Sequence, residues 1–194
     1  MLSCETENRL KSYLVAVAEG ESTIERLRQR LSEIRDFSPC MAFQRLDRCA
    51  NEALTSCELA NFLRDNCVCT ASEAECFRLL RFFDSDEDGR LSYQEYASIA
   101  SHIYSFIQIF LPCEDNYLRK LAQDRPSYRV ARYENLPLDI ERGISGILER
   151  ELELIRRLDL LKRELELRYD FSAYAAFKTI DRYTEGAINV QNLT

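Results

Sequence analysis

The sequence is poor in the residues on which much enzyme chemistry and most β-rich folds depend. Its 194 residues include one histidine, no tryptophan, five glycines and four prolines. A histidine-centred metal site or a catalytic triad would rest on His102 alone, and we expect the chain not to be an enzyme. Sandwiches and barrels need many turns, so the scarcity of glycine and proline favours a helix-rich fold.

Long apolar runs and an excess of positive charge are also missing. No run approaches the about 18 apolar residues that span a bilayer, and the start MLSCETENRLKSY lacks the basic-then-apolar form of a signal peptide. The net charge is −7, with 26 basic and 33 acidic residues. This balance argues against nonspecific nucleic-acid binding and suits a protein that handles cations. We therefore expect a cytoplasmic protein with no nucleic-acid, membrane or small-molecule partner.

Eight cysteines are spread over the chain, at positions 4, 40, 49, 57, 67, 69, 76 and 113. Several fall on the predicted core faces of helices and no secretion signal precedes them, so we expect buried, reduced thiols. Cys67, Cys69 and Cys76 could be taken for a zinc cluster. A C-x-C pair with a third cysteine and no fourth ligand is, however, a weak zinc pattern.

One segment, DSDEDGRLSYQE at 84–95, carries a specific chemistry. Acidic residues stand at its first, third and fifth positions, a glycine follows at the sixth, and a glutamate closes it at the twelfth. This is the spacing of a calcium loop, in which alternate carboxylates point inward around a cation that takes about six to eight oxygens. Gly89 permits the left-handed backbone of the sharp turn.

Each ligand position of this loop offers a suitable oxygen. Arg90 would contribute its backbone carbonyl, Ser92 its hydroxyl or a bound water, and Glu95 two carboxylate oxygens, which favours calcium over the smaller magnesium. The predicted Ca²⁺ ligands are Asp84, Asp86, Asp88, Arg90, Ser92 and Glu95.

Apolar residues flank the loop at helical spacing on both sides. They are Cys76, Leu79, Leu80 and Phe83 before it, and Tyr96, Ile99, Ala100 and Ile103 after it. An acidic surface turn between two helices would not explain these flanks together with Gly89, Leu91 and Glu95. Over 76–103 the sequence resembles the EF-hand superfamily, to which calmodulin and centrin belong. The resemblance implies an all-α fold in which two helix–loop–helix hands pair.

A second loop of the same length begins 37 residues before the first, at Asp47. Residues 47–58 read DRCANEALTSCE. Position three is Cys49, a soft ligand, and position six is Glu52, which resists the turn that glycine allows. We expect this loop to be a structural partner rather than a calcium site, with Leu54 at position eight paired to Leu91.

A third copy lies at the C-terminal end. Residues 170–182, DFSAYAAFKTIDR, repeat residues 36–48, DFSPCMAFQRLDR, at an offset of 134. The loop that follows, 181–192, keeps a glycine at position six and an isoleucine at position eight, but Tyr183 and Asn192 replace ligands, so we expect no calcium there. Ser38 and Ser172 are the expected caps of the helices that begin the two copies.

The repeat divides the chain into one full unit and the beginning of a second. The predicted parts are an amphipathic helix at 1–37, an EF-hand pair at 38–110 with its first hand degenerate, a connector at 111–136, a coiled-coil-like helix at 137–169, and a degenerate, incomplete third hand at 170–194. We expect either a fragment of a longer array or a chain whose last half-hand borrows a partner.

The helix at 137–169 carries an apolar stripe broken once, at Glu151. Its members are Ile140, Ile144, Ile147, Leu154, Leu158, Leu161 and Leu165. The stripe predicts either a partner-binding or array-forming helix, or packing within the chain. The first helix, 5–35, is weaker, because Gly20 interrupts it and Glu21 and Arg28 fall on its seam.

The connector is the only locally basic stretch, with tyrosines between its basic residues, which are Arg119, Lys120, Arg125, Arg129 and Arg132. It would either dock an acidic filament, such as tubulin or actin, or pack across its own domain with its basic groups balancing nearby acids.

These features predict a calcium-binding structural module that binds one Ca²⁺ at 84–95. Resemblance to multi-unit EF-hand proteins places such a module on the cytoskeleton or in the cilium, bound through its long helices to a microtubule, an axoneme or another filament. The alternative is a calmodulin-like sensor, against which the presence of only two methionines speaks. A third possibility is the regulatory part of an enzyme whose catalytic portion lies elsewhere.

Overall fold

The computed structural model describes residues 2–84, 87–92, 106–131, 134–181 and 185–188. These residues form eight α-helices and one antiparallel pair of two-residue strands. The predicted all-α class is therefore confirmed. Among the described residues, no helix combines the length and the apolar character needed to cross a bilayer.

The described residues contain ten secondary-structure elements. They are α1 (Cys4–Glu33), α2 (Pro39–Leu46), β1 (Ala53–Leu54), α3 (Ser56–Asp65), α4 (Glu73–Phe83), β2 (Leu91–Ser92), α5 (Phe106–Phe110), α6 (Asn116–Gln123), α7 (Leu138–Glu166) and α8 (Ala173–Ile180). The helix face predicted to follow the 84–95 loop, from Tyr96 to Ile103, lies outside the described residues, and so does His102. The connector contains a helix of its own, α6.

The chain divides into two compact units. The main unit comprises Glu21–Glu153, and the terminal unit comprises Met1–Gly20 together with Leu154–Thr194.

Local capping signals set where several helices begin. Thr55 and Ser72 each accept a hydrogen bond from the backbone N–H three residues on, at the start of α3 and α4, and complete a capping box with a glutamate. Ser172 caps α8 as predicted, by accepting from the Ala175 N–H. Ser38 occupies the predicted cap position of α2, but its side chain makes no capping hydrogen bond, and Pro39 begins that helix instead.

The two strands join the predicted loops at 47–58 and 84–95. Leu54 lies opposite Leu91 and Ala53 opposite Ser92 in an antiparallel pair. Both leucines are buried, with 0% and 2% of their surface exposed. The predicted pairing of Leu54 with Leu91 is therefore confirmed. Apolar side chains of α2, α3, α4 and α5 are buried in the same unit: Phe43, Leu46, Leu59, Phe62, Leu63, Leu79, Leu80, Phe83, Phe106 and Phe110.

A buried ion pair connects α2 to the beginning of α7. Arg45 donates from Nε to Glu141 Oε1 at 2.7 Å and from Nη2 to Glu141 Oε2 at 3.3 Å. Asn66 Nδ2 and the Leu136 N–H also donate to this carboxylate, at 2.8 and 2.9 Å. Because Glu141 has several donors, its charge is well compensated although the residue is only 4% exposed.

The two charged residues that interrupt the apolar stripes of α1 and α7 form an ion pair. Arg28, on the seam of α1, donates from Nη2 to Oε1 of Glu151, on the seam of α7, at 2.8 Å. Arg28 Nε also donates to the Ile109 carbonyl at 2.9 Å, and Glu25 lies 3.8 Å from the same guanidinium. The charged residue that breaks the apolar stripe of α1 is therefore the ion-pair partner of the one that breaks the stripe of α7.

The apolar stripe of α7 packs within the chain over its first half. Ile140, Ile144 and Ile147 are each at most 1% exposed. Of the two alternatives predicted for this helix, internal packing therefore applies to that stretch, and Leu154 and Leu165, later members of the same stripe, are buried as well.

The expectation that Gly20 interrupts the first helix is wrong. Helix α1 is continuous from Cys4 to Glu33. A Cβ atom at position 20 would overlap the side chain of Leu154, so glycine allows that leucine to pack against the helix backbone. Its role is close approach rather than helix termination.

The expectation of buried thiols is also wrong for most cysteines. All eight are free, but only Cys76 is buried and Cys40 is partly buried. The other six are exposed, because they lie in loops and turns or on solvent-facing sides of helices.

The described part of the connector packs across its own unit. Arg125 donates to the carbonyls of Ser32, Ile34 and Phe37, at 2.7, 2.5 and 3.0 Å. These carbonyls belong to the end of α1 and the turn after it, where helix carbonyls lack intrahelical donors. This basic residue therefore caps a helix terminus, and its charge is also attracted by the nearby carboxylate of Asp36.

The terminal unit has a small core and a capping contact of its own. Leu2, Leu10, Leu165 and Ala176 are buried together. Asp170 accepts hydrogen bonds from the Ser3 N–H at 2.6 Å and from Thr6 Oγ1 at 2.7 Å. The bonds from Thr6 and Ser3 lower the pKa of Asp170 to about 2, so this carboxylate stays charged at the beginning of α1.

Glu151 gives the main unit a titratable buried group. Burial raises the pKa of Glu151 from 4.5 to about 7, against the opposing charge of Arg28 and with a further contribution from Glu21. The folded chain then binds this proton more tightly than the unfolded chain does. We expect the contribution of Glu151 to the free energy of unfolding to fall by about 1 to 3 kcal/mol as the pH rises from 4.5 through about 7, and to level off at higher pH.

Denaturant titrations between pH 4.5 and 7 check this contribution in the wild type, in Glu151→Gln and in Glu153→Gln. Glu153 is an exposed residue of the same helix and pairs with Arg150. We expect Glu151→Gln to remove the decline with pH and Glu153→Gln to keep it. Equal pH dependence in the two variants would contradict the assignment.

Candidate metal centre

Asp84, the first predicted ligand, stands where α4 ends. It is the C-cap residue of that helix and is 8% exposed. Its Oδ2 atom accepts a hydrogen bond from the Gly89 N–H at 2.8 Å. This bond links the first position of the loop to the sixth and closes the turn between them.

The described backbone of the loop has the predicted sharp turn. Gly89 has φ +80°, as expected of a position that favours glycine, and Glu87 at the fourth position has φ +57°. Asp88 Oδ1 accepts from the Arg90 N–H at 2.8 Å, which is the two-residue bond of an Asx turn. Ser92 follows on β2 with its side chain exposed.

Four of the six predicted ligands, Asp84, Asp88, Arg90 and Ser92, lie among the described residues, and Asp86 and Glu95 lie outside them. The described part of the site therefore holds two of the four predicted carboxylates. Within the described ranges, no group of three histidine, cysteine or acidic side chains is placed to hold a metal ion.

The loop at 47–58, here the first loop, repeats the backbone of the 84–95 loop, here the second loop. Asp47 Oδ2 accepts from the Glu52 N–H at 2.9 Å, again from position one to position six. Asn51 Oδ1 accepts from the Ala53 N–H at 3.2 Å, again from position five to position seven. The left-handed residues also match, with Ala50 at φ +53° and Glu52 at φ +62°. Two sequences that differ at most ligand positions thus share one turn geometry.

Glu52 corrects an expectation about the first loop. We expected a non-glycine residue at position six to resist the turn, yet Glu52 adopts it. Left-handed backbone costs a non-glycine residue about 1 to 2 kcal/mol. The hydrogen bonds from this loop's own backbone to Asp47 and the burial of Leu54 compensate for that cost.

The loop at 181–192, here the third loop, repeats the first bond as well. Asp181 Oδ2 accepts from the Gly186 N–H at 3.0 Å, and Gly186 has φ +75°. Tyr183 and Asn192, which replace ligands in this loop, lie outside the described residues, whereas Ile188 at position eight is described and is 42% exposed.

The loops differ in the hydrogen-bond partner of Oδ1, the second carboxylate oxygen of their first aspartate. Asp47 Oδ1 accepts from the Asn51 N–H at 3.2 Å, and Asp181 Oδ1 accepts from the Glu185 N–H at 2.9 Å, both at position five. Asp84 Oδ1 is buried and has no hydrogen-bond partner among the described residues. The second loop, which alone has all the predicted ligands, is therefore also the one whose first carboxylate keeps a buried oxygen unsatisfied.

Glu58, at position twelve of the first loop, closes that loop by hydrogen bonds. Its Oε1 accepts from the Cys49 N–H at 3.0 Å, and its Oε2 accepts from the Thr55 N–H at 3.0 Å and from Thr55 Oγ1 at 2.8 Å. Burial raises the pKa of Glu58, but the hydrogen bonds from Cys49 and Thr55 outweigh burial and leave the pKa lowered. The carboxylate is therefore charged at neutral pH.

Glu58 stands at the twelfth position of the first loop, where a calcium loop has a glutamate ligand. Its capping role could have been inferred from the threonine three residues before it, which is the capping-box spacing. Its bond to Cys49, nine residues away, has no such sequence signal, because it depends on the loop being folded.

Comparison of the chain with protein-family models, with curated proteins and with solved structures finds no match in any of the three. Its function must therefore be inferred from the chemistry of its own residues.

Substitutions at the sixth position of the first two loops should change the free energy of unfolding in opposite directions. Glu52→Gly relieves a left-handed non-glycine residue, so we expect the free energy of unfolding to rise by about 0.5 to 1 kcal/mol. Gly89→Ala introduces that strain, so we expect a decrease of about 1 to 2 kcal/mol. An added Cβ at position 89 would lie 3.7 Å from Phe77, an ordinary contact, so the cost arises from the backbone.

Chemical denaturation of both variants without added metal measures these changes. A destabilising Glu52→Gly would show that position six of the first loop does not need the left-handed backbone.

Proposed function

We propose that the protein binds one calcium ion in the second loop, as the intact hand of an EF-hand pair whose first hand is structural. The observation that carries this proposal is the buried, unpartnered Oδ1 atom of Asp84, at the first ligand position of the loop with the complete calcium pattern.

A buried carboxylate oxygen without a partner is energetically costly. Leaving a polar group unsatisfied in the interior costs about 1 to 3 kcal/mol, and more for a charged group. Asp47 and Asp181 avoid that cost with backbone donors at position five. Asp84 lacks that donor among the described residues, and a hard cation at this position would satisfy it.

The residue types of the loop suit calcium rather than a softer metal. Every predicted ligand atom is an oxygen, and no histidine or cysteine lies within 84–95. The carboxylates of Asp84, Asp86 and Asp88, the Arg90 carbonyl, Ser92 and the bidentate carboxylate of Glu95 would hold the ion.

The proposed role of the ion is structural. The strand pair ties the second loop to the first through two buried leucines, so an ion would rigidify an element that is already packed. Met41 is 2% exposed and belongs to the core, and Met1 lies outside the described residues, which leaves no methionine-rich groove in support of a sensor. Attachment to a microtubule, an axoneme or another filament, through the long helices or the connector, stays a prediction, as does the absence of enzymatic activity.

One observation favours the alternative, a calcium sensor that binds a partner. Phe77 and Phe82, on the helix that leads into the second loop, are 44% and 69% exposed. Exposed aromatic residues are frequent at protein interfaces. The sensor is therefore kept as the second candidate function.

Calorimetric titration of the whole chain with calcium tests the proposed site. We expect one ion per chain, with an affinity that Asp84→Asn and Glu95→Gln each weaken at least about tenfold, because each removes a charged ligand oxygen. Asp124→Asn, at an exposed position outside the loops, is the matched control and should leave the affinity unchanged. Two or more tight sites, or none, would refute the proposal.

Heating and dye binding distinguish the structural role from the sensor. If calcium rigidifies a packed pair, it should raise the melting temperature and leave the fluorescence of a hydrophobic dye nearly unchanged. A large calcium-dependent increase in dye fluorescence, reduced by Phe77→Ser together with Phe82→Ser, would instead support the sensor.

A further inference from the structure

We propose that Glu58 is a positioning residue for the calcium site: its carboxylate holds the first loop in place, and the first loop sets the geometry of the second across the strand pair. This inference rests on the proposed function and adds a residue outside the ligand set of the second loop.

Glu58 connects both halves of the first loop. Its Oε1 atom binds the N–H of Cys49, two residues after the loop begins, and its Oε2 atom binds Thr55, immediately after β1. The side chain is only 6% exposed. One carboxylate therefore joins the incoming backbone of the loop to the residue that follows its strand.

Hydrogen bonds here do what a cation would do in a ligand-complete loop. In a calcium loop, the carboxylate at position twelve reaches the ion and draws the two ends of the loop together. In the first loop, the position-twelve carboxylate draws them together through the Cys49 N–H. Hydrogen bonds within the chain thus close this loop.

The closed first loop fixes the strand of the second. Thr55, held by Glu58, follows Leu54 directly, and Leu54 lies opposite Leu91. Leu91 stands between two predicted ligands, the Arg90 carbonyl and Ser92. The position of β1 therefore determines where two of the six ligands lie before any ion arrives.

Holding ligands in their bound arrangement strengthens binding, because ordering them then costs less free energy when the ion binds. If β1 is no longer held in place, the ligands must be ordered when the ion binds, and the free energy of ordering them then weakens the affinity. Couplings of this kind change affinity by about five- to 150-fold. We expect loss of the Glu58 carboxylate to weaken calcium binding by about tenfold while the ligand set stays complete.

Glu75 provides a matched control. It completes the capping box of α4 by accepting from Ser72 N at 2.9 Å and from Ser72 Oγ at 2.8 Å, as Glu58 does with Thr55 in α3. Its capping bonds lie at the start of α4, which precedes the second loop. Glu75→Ala therefore removes a helix cap of the same kind, at residues that lie outside both loops.

The experiment is calorimetric calcium titration of the wild type, Glu58→Ala, Glu58→Gln and Glu75→Ala, each as the full chain. Glutamine can replace glutamate in a capping box. Glu58→Gln therefore keeps a cap for α3 but lacks the second carboxylate oxygen for the Cys49 N–H, and it serves if Glu58→Ala does not fold. We expect both Glu58 variants to bind one ion about tenfold more weakly, and Glu75→Ala to stay within about twofold of the wild type.

Two results would overturn the proposal. The first is equal affinity in the Glu58 variants and Glu75→Ala, which would make Glu58 a helix cap only. The second is a fall in stoichiometry from two ions to one in the Glu58 variants, which would make Glu58 a ligand of a second site.

Amide hydrogen exchange without calcium tests the same role independently of any ion. If Glu58 holds β1, exchange at the amides of Cys49 and of both strands should accelerate about tenfold in Glu58→Gln relative to Glu75→Ala. Unchanged exchange would overturn the proposal. If the wild type binds no calcium but the strand amides respond, the proposed function fails, whereas the positioning of β1 by Glu58 is upheld.

Discussion

The hydrogen bond from the sixth residue of each loop to the carboxylate of its first residue organises the candidate site. It recurs between Asp47 and Glu52, between Asp84 and Gly89, and between Asp181 and Gly186, at 2.8 to 3.0 Å. The bond forces the chain through a left-handed residue at position six, and it directs the next residues toward position eight. In the first two loops this leads to the buried pairing of Leu54 with Leu91. The turn of each loop therefore depends more on the aspartate at position one than on the residues at positions two to five.

The three loops differ in which group, if any, donates a hydrogen bond to the second carboxylate oxygen of that aspartate. The first and third loops supply a backbone N–H at position five to the second carboxylate oxygen. The first loop also turns its final glutamate inward, onto the N–H of Cys49. Such a loop needs no ion, because the chain itself provides the donors. The second loop has the acidic residues of a cation site and leaves a buried oxygen of Asp84 without a donor among the described residues. The loops that depart from the calcium pattern are therefore the ones that satisfy their first aspartate with their own backbone.

Buried ion pairs join helices α1 and α2 of the main unit to α7. Arg28 meets Glu151, and Arg45 meets Glu141, each at less than 3 Å. Such pairs add little stability over well-packed apolar residues, but a shift of either helix would leave a charge buried and unpaired. The raised pKa of Glu151 reflects this balance, since burial there outweighs the attraction of Arg28. The first pair thus restricts how α1 and α7 align in the main unit, and the second does the same for α2 and α7.

Local patterns in the sequence determined the helix-rich class, the loop spacing, the glycine turn at position 89 and the pairing of Leu54 with Leu91. These features depend on residues close in the chain, or on a repeat that aligns two loops position by position, so periodicity and spacing are sufficient to read them. Tertiary structure alone decided that Arg28 and Glu151 are partners, that Gly20 accommodates Leu154, that most cysteines are exposed, and that Glu58 binds Cys49. In each case the role of a residue depends on a group that is distant in the chain or that comes near only when the loop is folded. Burial and hydrogen bonding depend on that three-dimensional neighbourhood, which no local pattern specifies.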